Sequence, residues 1–218
     1  GKEIKPKYQF FGFDKGFERE EQLTIVLAKA NMLIFVSDLL KQNPSLSKEF
    51  SKLFNNTFKL FNKSILGSLS KINRNYYDLI LTNPPYVIPG SSNYKEAIKN
   101  NAELNEFYKI NATGLEGLFV EWIIRSIKPN AKAFIIIPDG ILNRLSDAKL
   151  RKFIQEECFI DGIISLPQDA FYTTSKKTYI CNIFMLSAIA NNIGIVEGTG
   201  GTCGSGTAGV IGGTTAAN

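Results

Sequence analysis

The chain has 218 residues, 44% of them apolar and 21% charged, which fits one folded α/β domain with or without a tail and excludes a disordered chain. It contains no histidine, which excludes imidazole acid–base catalysis and histidine-ligated zinc, and its three cysteines form no C-x-x-C pair for a metal. The net charge of +5 favours polyanionic partners such as nucleic acid, and the absence of a signal peptide or of any apolar run near the roughly 18 residues of a membrane span predicts a cytoplasmic protein.

The first third of the chain predicts a strand followed by helices. An aromatic strand is expected over residues 8–13, and a helix over residues 17–35, because apolar residues there recur on one helical stripe and acidic residues occupy the first turns. The following region, residues 37–74, predicts an amphipathic helix and then a short strand near residues 61–66. Alternating strands and helices indicate an α/β fold.

The same alternation continues through the middle of the chain. An apolar run predicts a buried strand that stops at Asn83-Pro84-Pro85, where prolines cannot donate to a sheet. The elements predicted from there on are a strand at 77–82, a helix at 115–127, a strand at 133–137, a helix from the N-cap Ser146 to 157, and strands at 162–166 and 179–186. We therefore predict an open, mostly parallel sheet with helices on both faces and a terminal antiparallel hairpin. Because ligands bind at the carboxyl ends of such strands, the Asp14 and Asn83 ends are expected to face one crevice.

The end of the chain differs in composition from the rest. Nine of the 18 glycines lie between positions 194 and 213, among threonine, serine and alanine. Such a segment has almost no side chain to bury. The sequence therefore predicts a folded core over residues 1–190 and a flexible tail over residues 191–218.

The most specific motif is Asn83-Pro84-Pro85-Tyr86, directly after the buried strand. An amine on an aromatic ring is a poor nucleophile, because its lone pair is delocalised. The Asn83 side-chain oxygen and the Pro84 carbonyl can each accept one N–H, which favours the amine as it becomes positive during methylation. The two prolines stiffen this geometry, and Tyr86 offers a face for stacking a heterocycle. The alternative is a plain strand-ending turn, since asparagine and proline are both turn residues.

These residues resemble a known family, the S-adenosylmethionine-dependent amino-methyltransferases. Within this family, the sequence is similar to the adenine-N6 DNA methyltransferases, which include the methylation subunits of type I restriction systems. The similar segments are YDLILT with its Asn-Pro-Pro-Tyr, FGFD before a helix, FIIIPDGILNR and the closing strands. The resemblance spans residues 10–186 and implies a Rossmann-like sheet. It also implies DNA as substrate, with a separate specificity domain or subunit and a restriction subunit as partners.

The resemblance assigns roles to single residues. In this family an acidic residue at the end of the second strand binds the cofactor ribose, which points to Asp14, with Gly12 in the same cofactor site. Tyr86 and Phe171 would contact a flipped adenine. Lys176 and Lys177 would lie near its phosphates. The remaining residues assigned to the site are Asn83, Pro84 and Pro85. The residues alone also allow structural roles: Asp14 as a surface or capping carboxylate and Phe171 as a core residue. The two lysines could equally be solvated surface residues.

Departures from the family pattern leave other functions open. The glycine-rich cofactor loop of the family precedes the Asp14 position, where this sequence has only thirteen residues, so we expect that loop to lie upstream of this sequence. A similar run, GTCGSGT, occurs in the tail, either as a permuted copy or as low-complexity sequence or an artefact. Asn62, Lys63 and Ser64 stand where the family often has an acidic residue. The alternatives are a glutamine-N5 methyltransferase of a protein substrate and a non-catalytic DNA-binding or assembly fragment.

Overall fold

The structure, a computed structural model, describes residues 11–14, 21–60, 66–85, 91–110, 112–168, 170–171 and 176–186. The chain divides into two compact units, residues 1–71 and 72–218. The first unit contains strand β1 (Gly12–Asp14), helix α1 (Glu21–Gln42), helix α2 (Ser47–Thr57) and strand β2 (Phe58–Leu60). Strands β1 and β2 pair in parallel, with Asp14 opposite Leu60.

The predicted elements of the first unit are partly confirmed. Strand β1 ends at Asp14, one residue beyond the predicted end at residue 13, and α1 continues to Gln42, beyond the predicted end at residue 35. The described strand β2 lies earlier than the predicted 61–66, of which only Leu66 is described, in a turn. In β2, Phe58 and Leu60 alternate with Lys59, which is the period-two pattern of a strand directly after a helix.

The second unit contains a four-stranded sheet with the spatial order β3-β4-β6-β5. Its strands are β3 (Tyr77–Thr82), β4 (Ile127–Pro138), β5 (Cys158–Ser165) and β6 (Thr178–Met185). Its helices are α3 (Ser91–Lys99), α4 (Ala102–Phe107), α5 (Gly114–Ser126), α6 (Asp139–Asn143) and α7 (Ala148–Glu157). None of the helices in the described ranges is long and apolar enough to cross a membrane.

The sheet is mixed. Strands β3 and β4 are parallel, whereas β6 is antiparallel to both of its neighbours, β4 and β5. The α/β class and the terminal antiparallel hairpin are confirmed, and the sheet is mixed rather than purely parallel. The antiparallel strand is β6, and the described residues of the connection from β5 to β6 contain no helix of the kind that links parallel strands.

Within the second unit, helices α5 and α7 lie on one face of this sheet. Helix α5 crosses from β3 to β4 and α7 crosses from β4 to β5, both in the same direction along the sheet, and right-handed crossovers in one direction place both helices on one face. That face is buried, as Ile135 and Ile183 show. The opposite face exposes apolar side chains, including Leu81 at 69% and Ile164 at 59%.

The boundaries of the other elements follow local details. Strand β4 begins at Ile127 instead of 133, because Ile127 already pairs with Tyr77 of β3. An irregularity that contains Asn130, at a φ of 62°, then interrupts the pairing, which resumes at Lys132. Strand β5 begins directly after α7, four residues before the predicted position 162. Helices α3, α4 and α6 were not predicted. The predicted tail, residues 191–218, lies outside the described residues.

Candidate active site

The Asn83-Pro84-Pro85 turn leaves the sheet at the carboxyl end of β3. Asn83 is exposed, Pro84 is buried and Pro85 is exposed again. The buried Pro84 anchors the turn against the unit, while the Asn83 side chain lies on the outside, where a ligand could reach it. Tyr86, the fourth residue of the motif, lies outside the described residues.

The sheet edge next to Asn83 has a step. The last pair between β3 and β4 is Thr82 with Ile135, but β4 continues to Pro138 while pairing with β6 alone. At about 3.3 Å per residue, β4 and β6 project about 10 Å beyond the end of β3. Asn83 therefore leaves the sheet beside a wall formed by β4 and the start of β6.

A hydrogen-bonded group at the top of this wall, here called the Asp139 network, consists of Asp139, Asn143, Lys177 and Tyr179. The Asp139 backbone N–H donates to the Lys177 carbonyl at 2.9 Å, and its carboxylate accepts from the Tyr179 hydroxyl at 3.2 Å and from the Asn143 side chain. The Lys177 ammonium donates to the Leu166 carbonyl and lies 5.8 Å from the centre of the Tyr179 ring. The network thus brings Lys177 to the edge at which Asn83 lies.

A buried ion cluster lies where α6 ends and α5 begins. The Arg144 guanidinium contacts Glu116 at 2.9 Å and Asp147 at 2.8 Å, and these carboxylates are 3% and 0% exposed. The Asp147 contact is an ion pair that is not aligned as a hydrogen bond, so within the described part both Asp147 oxygens lack a hydrogen-bond donor. Burial alone would lower the pKa of Arg144, but the two carboxylates outweigh it and raise that pKa.

A second buried carboxylate, Glu121 of α5, holds the chain that leads into this helix. Its Oε1 accepts from the Ile110 backbone N–H at 3.1 Å and from the Arg125 guanidinium at 2.9 and 3.1 Å. Burial raises the pKa of Glu121, and these donors oppose that rise only in part. Glu121 therefore fixes Ile110, which follows α4, to helix α5.

The other predicted site residues lie in two places. Gly12 and Asp14 are in β1 of the first unit, where Asp14 ends the strand; the Asp14 side chain is outside the described residues. Phe171, half-buried, and Lys176, exposed, lie in the connection between β5 and β6. The structure thus brings Asn83 and the base of that connection to one edge, while a shared crevice for Asp14 and Asn83 stays a prediction.

Sequence reasoning did not identify Asp139, Tyr179 or Arg144. The Pro-Asp-Gly that ends an apolar strand was a usable signal for Asp139, because the carboxyl end of a strand neighbouring β3 is a site position in this class of fold. Tyr179 and Arg144 carried no such signal, since their partners are far away in the sequence.

Comparison with family models identifies the family of this chain. Residues 2–188 match the family model described as N-6 DNA Methylase. The chain is 27% identical over 110 residues to the type I restriction enzyme MpnII methylase subunit of Mycoplasma pneumoniae and 27% identical over 106 residues to the EcoEI methylase subunit of Escherichia coli. These alignments cover 50% and 47% of this chain but 20% of each relative, so the chain spans about a fifth of their length. A modification subunit of a type I restriction enzyme from Vibrio vulnificus is structurally similar, with 18% identity and a TM-score of 0.48 over 61% of this chain and 28% of that one.

Proposed function

The chain belongs to the N-6 DNA methylase family, and from this we propose that it methylates the exocyclic N6 amine of adenine in DNA, with S-adenosylmethionine as methyl donor, as part of a type I restriction-modification system. The observation that supports this most directly is Asn83, exposed immediately after β3 on a turn anchored by the buried Pro84. A side-chain oxygen in that position can accept a hydrogen bond from an amine that enters from outside.

The chemistry needs acceptors more than it needs a base. As the adenine amine attacks, its nitrogen becomes pyramidal and positive, and the Asn83 oxygen and Pro84 carbonyl stabilise that charge by accepting its two N–H groups. Pro85 keeps the turn rigid, so that little reorganisation is needed at the moment of reaction. The extra proton then leaves the product amine to water.

The first unit fits one end of the cofactor. Asp14 is the last residue of β1, which pairs in parallel with β2, and a carboxylate at the carboxyl end of a parallel strand suits the vicinal hydroxyls of a ribose. Gly12, two positions earlier in the same strand, is the other residue that we assign to this site. When bound, S-adenosylmethionine supplies an electrophilic methyl group.

DNA contacts are assigned to the motif and to the β5–β6 connection. A target adenine inside a duplex is out of reach of Asn83, so the base has to be flipped, and Tyr86 and Phe171 would then contact its ring. Lys176 and Lys177 follow on the same connection and would lie near the phosphates. Recognition of the target sequence is assigned to a separate specificity domain or subunit, as expected for a methylation subunit.

The test is methyl transfer by the full-length protein to unmethylated genomic DNA, with N6-methyladenine measured by mass spectrometry. Asn83→Ala should lower the rate about 10²–10³-fold, the usual effect of losing one preorganised hydrogen-bonding group. Asn105→Ala is the matched control, because Asn105 is an exposed asparagine on α4 of the same unit. Full activity in Asn83→Ala would refute the mechanism.

Two further measurements separate the alternatives. Methylation of a glutamine side chain in a protein acceptor, with no methylated adenine, would establish the glutamine-N5 activity instead. Calorimetry with S-adenosylmethionine should show binding by the full-length protein and weaker binding by Asp14→Ala. Absence of binding by the full-length protein would point to the non-catalytic alternative.

A further inference from the structure

The connection between β5 and β6 is closed at its base by one lysine. The connection comprises residues 166–177, and Lys177, its last residue, donates from its ammonium to the carbonyl of Leu166, its first. The Leu166 backbone N–H donates to the Thr178 carbonyl at 3.1 Å. The two ends of the connection are therefore joined to each other by a side chain as well as by the backbone.

The closed base is also fixed to the neighbouring strand. Asp139, the residue after β4, donates its backbone N–H to the Lys177 carbonyl and accepts from the Tyr179 hydroxyl. The Lys177 ammonium lies beside the Tyr179 ring, where its charge is further stabilised. These contacts hold the base of the connection against β4, the strand next to β3, which leads into the Asn83 turn.

We propose that Lys177, Tyr179 and Asp139 are positioning residues, which hold the two ends of the β5–β6 connection, Leu166 and Lys177, at the sheet edge where the Asn83 turn begins and so restrict where Phe171 stands when the target base arrives. The inference rests on the proposed function and extends it, because it gives Lys177 a role in addition to any contact with phosphate. The Lys177 ammonium is already bonded within the protein, so its charge orders the connection before DNA binds.

The expected kinetic effect follows from this order of events. If the connection is loose in the free protein, ordering it during binding costs free energy and so lowers the affinity for the flipped base. The acceptors on the Asn83 turn are unchanged once the base is bound. Loss of the Lys177 contact should therefore raise KM for DNA more than it lowers kcat. Lys177→Arg keeps a charged donor, so it should restore most of the wild-type behaviour.

The first test is hydrogen–deuterium exchange on the full-length protein without DNA, so that its result does not depend on activity. In Lys177→Met, amide exchange in residues 166–178 should accelerate about tenfold, as expected from loss of one hydrogen bond to a charged group. Lys149→Met on α7 removes an exposed charge of the same kind elsewhere and should leave this segment unchanged. Tyr179→Phe, which removes one hydroxyl, should give a smaller acceleration and serves if Lys177→Met does not fold.

The second test is the kinetics of methylation of unmethylated genomic DNA by the same variants. We expect KM for DNA to rise about fivefold or more in Lys177→Met, with kcat within about twofold, and Lys177→Arg to restore KM. Unchanged amide exchange in both Lys177→Met and Tyr179→Phe would overturn the proposal, as would faster exchange without any change in KM. A wild-type protein that never methylates adenine would refute the proposed function instead, while the exchange experiment would still decide whether the network holds the connection.

Discussion

Removing Arg144 should destabilise the second unit strongly. Its guanidinium is the cation in contact with Glu116 and Asp147, which are 3% and 0% exposed, at 2.9 and 2.8 Å. Arg151, the nearest other arginine in sequence, donates to the carbonyls of Ile141 and Arg144. In Arg144→Met, two buried carboxylates would therefore lose the positive charge that faces them.

The magnitude follows from burial. Breaking a buried ion pair by removing one partner costs about 3–5 kcal/mol, because the remaining charge stays out of water. The Arg144 side chain is 37% exposed, so water can partly replace it, and we expect the lower end, about 3 kcal/mol. That is a large part of the roughly 5–15 kcal/mol that stabilises a typical domain.

The assay is urea unfolding of the full-length protein at neutral pH, followed by circular dichroism. Lys152→Met is the matched control, since Lys152 and Glu156 form a 3.6 Å ion pair with side chains 76% and 57% exposed, and its loss should cost less than about 1 kcal/mol. The triple variant Arg144→Met, Glu116→Gln, Asp147→Asn should recover at least half of the lost stability, because no buried charge is left unpaired.

An equal cost for Arg144→Met and Lys152→Met would refute the reasoning. So would a triple variant less stable than Arg144→Met alone, since that would mean that the arginine acts by packing and not by charge. The slope of the unfolding free energy against urea should be the same in all variants, which confirms that one transition is being compared.

Three further predictions concern pH, thiol reactivity and a glycine. Burial raises the pKa of Glu121 in the folded state, so the stability that this residue contributes is complete below its unfolded-state pKa and is lost as the pH rises through the folded-state pKa. Glu121→Gln should therefore flatten the curve of Tm against pH from about pH 4 upward. An unchanged curve would contradict this. Burial raises the pKa of Cys158 to about 12 and that of Cys181 to about 11, so peptide mapping should find both thiols unreactive to iodoacetamide at about pH 8 until the protein unfolds; rapid labelling of the folded protein would be the contrary result. Gly114→Ala should lower the free energy of unfolding by about 1 kcal/mol or more, because φ is +80° and a Cβ would lie 2.7 Å from a Glu116 oxygen. Gly162→Ala is the control: no atom lies within 4 Å of its Cβ, so thermal unfolding should be nearly unchanged.

The sequence alone determined the strand that carries the candidate site. The run over Tyr77–Thr82 is apolar and ends at two prolines, so both its conformation and its end follow from local chemistry, and the structure has the strand at those residues. The helix predicted from the N-cap Ser146 to residue 157 is also present, as α7, and it ends at Glu157, but its N-cap is Asp147 because Ser146 lies in the 3-10 turn before it. An asparagine directly after such a strand predicted an acceptor at the sheet edge, where the structure has Asn83 exposed.

Only the tertiary structure decided which face of the sheet is covered and which side chains surround the site. An apolar strand has the same sequence pattern whether one of its faces is packed or both are, so the sequence of β3 could not predict the exposure of Leu81. The contact between Tyr179 and Asp139 and that between Arg144 and Glu116 join residues far apart in the chain, through strand order and crossover handedness. Local sequence fixes dihedral preferences and periodicity, whereas pairs of this kind exist only once the strands have been ordered in the sheet.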